Sequence, residues 1–204
     1  MRKLDTLEGC ADACVEPRKN AATRIFETAC ELFYQRGIRA VGVDEIVCQA
    51  GVTKPSLYRS FESKDALIAA CIEAFSKDAV TEFDEDIAAA GPAPLDKLNA
   101  LITHVACELA KPDFRGCLMS NAAIEFRDET HPARIVIESC KQQFRERVGR
   151  LTRAYTDDQP DALADGLIML IEGAYFALHV FGSKGPATAF VRSAERLIQA
   201  HLPK

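Results

Sequence analysis

Residues 43–61, VDEIVCQAGVTKPSLYRSF, constrain the fold more tightly than any other stretch of the chain. Val43, Ile46, Val47 and Ala50 recur at helical spacing, and Gly51 stops that helix. Thr53 then stands where an N-cap belongs, its hydroxyl able to take an orphan backbone N–H. Pro55 falls in the first turn of the new helix, where a missing N–H does no harm. Leu57 and Phe61 are its inward anchors. Two short helices across a Gly-containing turn, with a third packed over them, make a helix-turn-helix. Because the apolar anchors lie late in the second helix, its polar groups cluster early: Thr53, Lys54, Ser56, Tyr58 and Arg59. That end of such a helix meets base edges and phosphates, and the positive end of the helix dipole adds to the attraction.

The flanking segments supply the rest of a small domain. Upstream, Ile25, Phe26, Ala29, Leu32 and Phe33 share one helical face, and Gly37 ends it. Downstream, Ser63 caps a long helical pattern that runs to Gly91-Pro92. With these residues in place, the run from Arg24 to Leu67 resembles the DNA-binding domain of the TetR family of transcriptional regulators. The matching positions are Ala29, Leu32-Phe33, Gly37, Val43, Ile46, Ala50-Gly51-Val52, Leu57-Tyr58, Phe61, Lys64 and Leu67. They cover about the first third of the chain. One departure stands out: Val41 and Gly42 occupy positions where the family usually carries Thr and Ser, so no hydroxyl is offered there.

The resemblance implies an all-α protein that binds a palindromic operator in double-stranded DNA as a homodimer, usually as a repressor released by a small ligand. It places Thr53, Lys54, Ser56, Tyr58 and Arg59 toward DNA and Lys64 on phosphate. The expected organisation is a polar leader over 1–16, a helix-turn-helix domain over 17–64 and a larger helical ligand-binding and dimerisation domain over 65–204. The expected switch has two states: one spacing of the paired heads fits DNA, and a ligand favours another through the helix that follows Ser63.

Charge agrees with local rather than indiscriminate nucleic-acid binding. The chain carries a net charge of −5. From 17 to 64 there are eight Lys/Arg against five Asp/Glu, whereas from 65 to 204 there are fifteen against twenty-one. A mildly basic head on an acidic body permits DNA contact at one end. The leader has no apolar segment of the kind a secretory signal needs. The most apolar run, residues 166–182, is short for a membrane span and is interrupted by Glu172, Gly173 and His179. The expected setting is the cytoplasm, with no membrane partner. The eight cysteines are then free thiols rather than a disulfide framework.

In the body, Leu95, Leu98, Ile102, Val105 and Leu109 mark one amphipathic helix; residues 117–128 give a short one. A long pattern follows, with Ile137, Cys140, Phe144, Val148 and Leu151 inward, and Arg134, Lys141, Arg145, Arg150 and Arg153 on an expected solvated face. From 163 to 181 the apolar residues go nearly all round, so one side meets the core and the other needs a partner. A last stripe, Phe190, Val191, Ala194, Leu197, Ile198 and His201, completes a pair of helices suited to a two-fold interface.

A ligand site in such a body is expected among His104, Cys107, Phe114, Cys117, Met119, Phe126, Met169, Glu172, Tyr175, Phe176 and His179. Glu172 is the one charged group on an apolar helix, so a mostly apolar or aromatic effector is expected. Cys117 has a reading of its own. It stands at a helix start beside Arg115, a setting that favours a thiolate. RGCLMSNAAIEF also resembles a subset of the family with Gly-Cys at this point, some members of which respond to oxidants or electrophiles. Cys107 or His104 would be its helpers; the alternative is a packed, inert thiol. A thiol enzyme or zinc site was weighed on His104, Cys107 and Cys117, but paired CxxC or HxxxH spacings are missing, as are a P-loop, a GxGxxG and a nucleophile elbow. No cofactor or metal is expected.

Overall fold

The computed structural model describes residues 20–203; the leader, with Cys10 and Cys14, lies outside the described residues. Nine α-helices and one 3-10 turn make up the described chain, which contains no strand. They are α1 (Ala21–Arg36), α2 (Val43–Gln49), α3 (Lys54–Ser60), α4 (Lys64–Ala89), α5 (Pro94–Ala110), α6 (Leu118–Glu125), α7 (Pro132–Tyr155), α8 (Pro160–Phe181), the turn Pro186–Ala189 and α9 (Phe190–Gln199).

Helix ends follow local chemistry. Asn20 caps α1 by accepting from the Thr23 N–H at 2.8 Å, and Ser63 caps α4 by accepting from the Ala66 N–H at 3.0 Å. Pro stands in the first turn of α3, α5, α7 and α8, where its missing donor costs nothing. Gly37 and Gly51 take φ of +85° and +61°, which L side chains rarely adopt, and each ends a helix of the head. Thr53 holds the N-cap position of α3, but its hydroxyl pairs with Ser56 Oγ at 3.0 Å and leaves the helix backbone uncapped.

Two buried cores meet along α4. The first is made by α1, α2, α3 and the start of α4: Ile25, Ala29, Phe33, Ile46, Leu57, Leu67 and Ile72 are almost wholly buried. Ala122 and Phe126 of the α6 end, with Ala133 and Ile137 of α7, belong to the same cluster. The second core fills the body with Leu98, Leu101, Val148, Leu163, Leu167, Ala194 and Ile198. Packing is therefore continuous past residue 64, where sequence reasoning drew a domain boundary.

α8 is long and apolar enough to cross a bilayer by length and composition. Its Leu163, Leu167, Ile171 and Ala174 face the core, whereas Met169, Phe176, Val180 and Phe181 are 74%, 64%, 52% and 62% exposed. That is an unpartnered apolar face along one side of the helix.

Candidate functional site

On the head, the surface of α3 is open. Thr53, Lys54, Tyr58 and Arg59 are exposed and Ser56 is half-buried. Arg59 folds back along its helix, with Nε donating to the Pro55 carbonyl at 3.3 Å and a terminal nitrogen donating to Ser56 Oγ at 3.1 Å. Lys54 Nζ pairs with Asp44 of α2 at 2.7 Å, and that carboxylate raises the lysine's pKa above its ordinary value. Lys64 is held differently. Its ammonium donates to the Ile38 carbonyl at 3.3 Å and lies 5.9 Å from the centre of the Phe33 ring, so it fastens the α1–α2 turn. Arg24 does the same for the α2–α3 turn, donating to the Gly51 carbonyl at 3.4 Å.

The body holds a cleft-like cavity of about 560 Å³ between α4, α5, α7 and α8, with the α5–α6 loop along its rim. Its size suits a small organic molecule. Tyr34, Phe75, Phe83, Phe114, Phe144 and Tyr175 give it aromatic walls. Tyr34 stacks on Phe75 with centroids 5.4 Å apart, and Phe114 meets Tyr175 edge-on at 5.0 Å. Tyr34 Oη also accepts from the Arg115 N–H at 2.9 Å, tying α1 to the loop at the cavity rim. Burial pushes the Tyr175 phenol well above its usual range, with nearby acidic groups adding to this, so it stays protonated.

Of the residues named from sequence, His104, Phe114, Cys117, Met119, Glu172 and Tyr175 line this cavity. The others are placed elsewhere. Phe126 is buried in the head core and stacks on His131 at 4.3 Å. Cys107 is exposed on α5, in a separate shallow depression shared with Asp86 and Asn99. Met169, Phe176 and His179 point outward from α8. Met169 and Phe176 stand three and four positions from Glu172, so helical spacing groups all three, but of the three only Glu172 lines the cavity. His104 also bonds Asp86 Oδ2 through Nδ1 at 2.7 Å.

Lys141 is the residue that sequence reasoning misplaced. Expected on the solvated face of α7, it reaches into the cavity wall, forms an ion pair with Glu172 and donates to Cys117 Sγ at 3.3 Å. Ser120 Oγ donates to the other oxygen of Glu172 at 2.6 Å. Burial opposes the charge on Lys141, but Cys117 and Glu172 together outweigh it and lift its pKa above the usual 10.5. A signal was present: Ile137, Lys141, Phe144 and Val148 follow one inward stripe. Arg145, Arg150 and Arg153 do face solvent, with Arg145 on Asp165 at 2.6 and 2.8 Å and Arg153 on Asp161 at 2.7 Å, whereas Arg134 is half-buried and pairs with Glu138 at 2.8 Å.

The cavity and the head share α6. Cys117 occupies its N-cap position at the cavity wall. At the opposite end, Glu125 accepts from the backbone N–H groups of Ile38 at 3.2 Å and Arg39 at 2.7 Å. No sequence pattern singled out Glu125. Among the described residues, no cluster of His, Cys, Asp or Glu has the makings of a metal site.

Comparison with known proteins agrees with this layout. The family model described as bacterial regulatory proteins, tetR family, matches residues 25–71. The transcriptional regulator AcuR of Cereibacter sphaeroides is 30% identical over 171 residues, covering 79% of this chain and 78% of AcuR. The HTH-type transcriptional repressor DhaR of Mycobacterium sp. (strain GP1) is 26% identical over 174 residues, covering 82% of this chain and 86% of DhaR. The crystal structure of a TetR-family transcriptional regulator from Streptomyces coelicolor superposes with a TM-score of 0.84 at 29% identity, covering 89% of this chain and 95% of that one.

Proposed function

This chain belongs to the TetR family of transcriptional regulators, and from that premise we propose that it is a ligand-responsive repressor that binds a palindromic operator as a homodimer. It is a DNA-binding regulator and not an enzyme. The observation that carries the ligand-responsive part is α6. One end stands at the wall of an aromatic cavity, and the other grips the turn between α1 and α2 through Glu125. A ligand that shifts Cys117, Ser120 or the Glu172 pair displaces the helix that braces the head. The shift in operator affinity is bounded by the ligand's preference between the two states.

In this proposal Thr53, Ser56, Tyr58 and Arg59 meet DNA from α3, and Lys54 reaches phosphate once it leaves Asp44. Lys64 holds the head together and contributes positive charge. The exposed apolar face of α8, with Val191 of α9 at 39% exposure, is the homodimer surface. A two-fold axis there sets the two α3 helices one DNA turn apart, about 34–36 Å. The effector is a small, largely aromatic molecule with one polar group for the Lys141–Glu172 pair. The protein works in the cytoplasm, with its DNA.

The test is a titration of fluorescent DNA from upstream of the protein's own gene at several salt concentrations. Saturable binding that weakens steeply with salt, and is lost on replacing Arg59 and Lys54 with Ala, supports the proposal. Binding unaffected by those changes would sink the assignment of α3.

Cys117 supports a second reading. Its sulfur lies in the cavity wall, 3.3 Å from the Lys141 ammonium, where a molecule bound in the cavity can reach it. If the signal is an electrophile, treatment with a quinone releases wild-type protein from DNA and leaves Cys117→Ser bound. Equal release of both refutes it.

A further inference from the structure

A pair of thiols lies outside the cavity, inside the head. Cys30 of α1 and Cys71 in the third turn of α4 face each other with their sulfurs 2.6 Å apart, closer than two unbonded sulfurs rest. Cys71 is 1% exposed and its Sγ also lies 3.9 Å from the Phe26 carbonyl; Cys30 is half-buried, the more accessible residue of the two. In the reduced pair the hydrogen bond with Cys30, with burial adding to it, pushes the Cys71 thiol above its usual range, so Cys30 reacts first and Cys71 attacks only once oxidation of Cys30 has removed that bond. A disulfide needs a separation of about 2.05 Å, so closing the pair takes a movement of roughly half an ångström. Both cysteines sit on packed helices, which keeps them facing one another.

We propose that Cys30 and Cys71 are an oxidative modification site that closes to a disulfide in the presence of a hydroperoxide. The Cys30 sulfur attacks the peroxide; the O–O bond breaks, the alcohol or water leaves with the thiol proton, and Cys30 becomes a sulfenic acid. The Cys71 sulfur then attacks Cys30; the S–O bond breaks, and the hydroxyl departs as water with the Cys71 proton. Two thiols lose two electrons and one peroxide gains them. The bond joins residues 41 apart in sequence and ties α1 to α4, the helix that leaves the head to line the cavity. Any effect on operator affinity rests on the function proposed above, but the chemistry of the pair does not.

The experiment uses the reduced full chain, treated with hydrogen peroxide, blocked with an alkylating agent and digested with trypsin. Cleavage at Arg24, Arg36, Lys64 and Lys77 places Cys30 on residues 25–36 and Cys71 on residues 65–77. The expected product is these two peptides joined, two hydrogens lighter than their sum, restored to singles by reductant. The joined peptide is absent in Cys30→Ser and in Cys71→Ser. Peroxide also raises the melting temperature of wild type by roughly 5–10 °C, and does not raise that of Cys30→Ser. Both peptides recovered singly alkylated after oxidation, or Cys30 joined to another cysteine, would overturn the proposal. Because neither readout involves DNA, a failed operator assay leaves the result intact, and a failed cross-link leaves the regulator assignment intact.

Discussion

Glu125→Ala isolates the brace between the cavity helix and the head. The Glu125 carboxylate accepts two backbone N–H groups, from Ile38 at 3.2 Å and Arg39 at 2.7 Å, across more than eighty residues of sequence. A buried hydrogen bond to a charged acceptor is worth about 1.5–3 kcal/mol. Here the bond from Arg39 is exposed and the bond from buried Ile38 is part-buried through its half-exposed Glu125 acceptor, so water replaces part of what is lost. About 2 kcal/mol for the pair is the resulting expectation, which for a chain of this size lowers the melting temperature by roughly 4–8 °C. Glu125→Gln keeps one acceptor oxygen and loses the charge, so it is expected to lose about half as much. Urea denaturation of the three proteins measures this directly. The same samples, titrated with operator DNA, report function: affinity of the ligand-free protein stays within about threefold of wild type, while effector release is blunted. If Glu125→Ala unfolds within about 0.3 kcal/mol of wild type in urea, the two bonds carry nothing and the brace is not a brace.

Replacing Met169 and Phe176 together with Glu puts charge on the exposed face of α8 and is expected to give a monomer by light scattering, with operator affinity down at least about tenfold. Lys141→Met leaves the Glu172 carboxylate without its cation inside the cavity wall; an expected loss of about 1–3 kcal/mol in urea is largely recovered by adding Glu172→Leu. The folded pKa of Lys141 is raised above 10.5, so the stability that its charge contributes is fully present below that value and is lost only as pH rises through the higher folded value. The stability gap between wild type and Lys141→Met is therefore expected to be flat from about pH 7 to 9, and a gap that closes within that range contradicts the assignment. Asp44→Asn releases Lys54 for phosphate: operator affinity at low salt is expected to rise about three- to tenfold, with a salt slope steeper by about one.

What could be read from the chain differs between head and body. In the head, every signal is local: Gly at the two positive-φ stops, Pro in a first turn, apolar anchors four apart. Those features act within a few residues, so the three helices, the stops at Gly37 and Gly51 and the start of α3 were legible. The misjudged detail, the Thr53 hydroxyl, turned on a choice between two neighbouring partners that spacing does not rank. In the body, α5, α7 and α8 were equally legible as helices, but their faces were not. Lys141 was assigned to solvent by its charge although it lies on the inward stripe. Phe126 was assigned to the cavity by its ring although α6 delivers it to the other core. Met169 and Phe176 share a helical spacing with Glu172, and only the neighbouring helices decide where the wall stops.

The sequence by itself determined an all-α chain with a helix-turn-helix near its start, because capping, turn and periodicity signals are carried by residues within one or two turns of each other. Tertiary structure alone decided that Lys141 joins Cys117 and Glu172 at the cavity with Ser120 bonded to Glu172, that Glu125 reaches the head, and that Cys30 meets Cys71. Each of those meetings joins helices far apart in the chain. Helix periodicity sets a side chain's angle about its own axis, whereas its partner is set by how the axes pack.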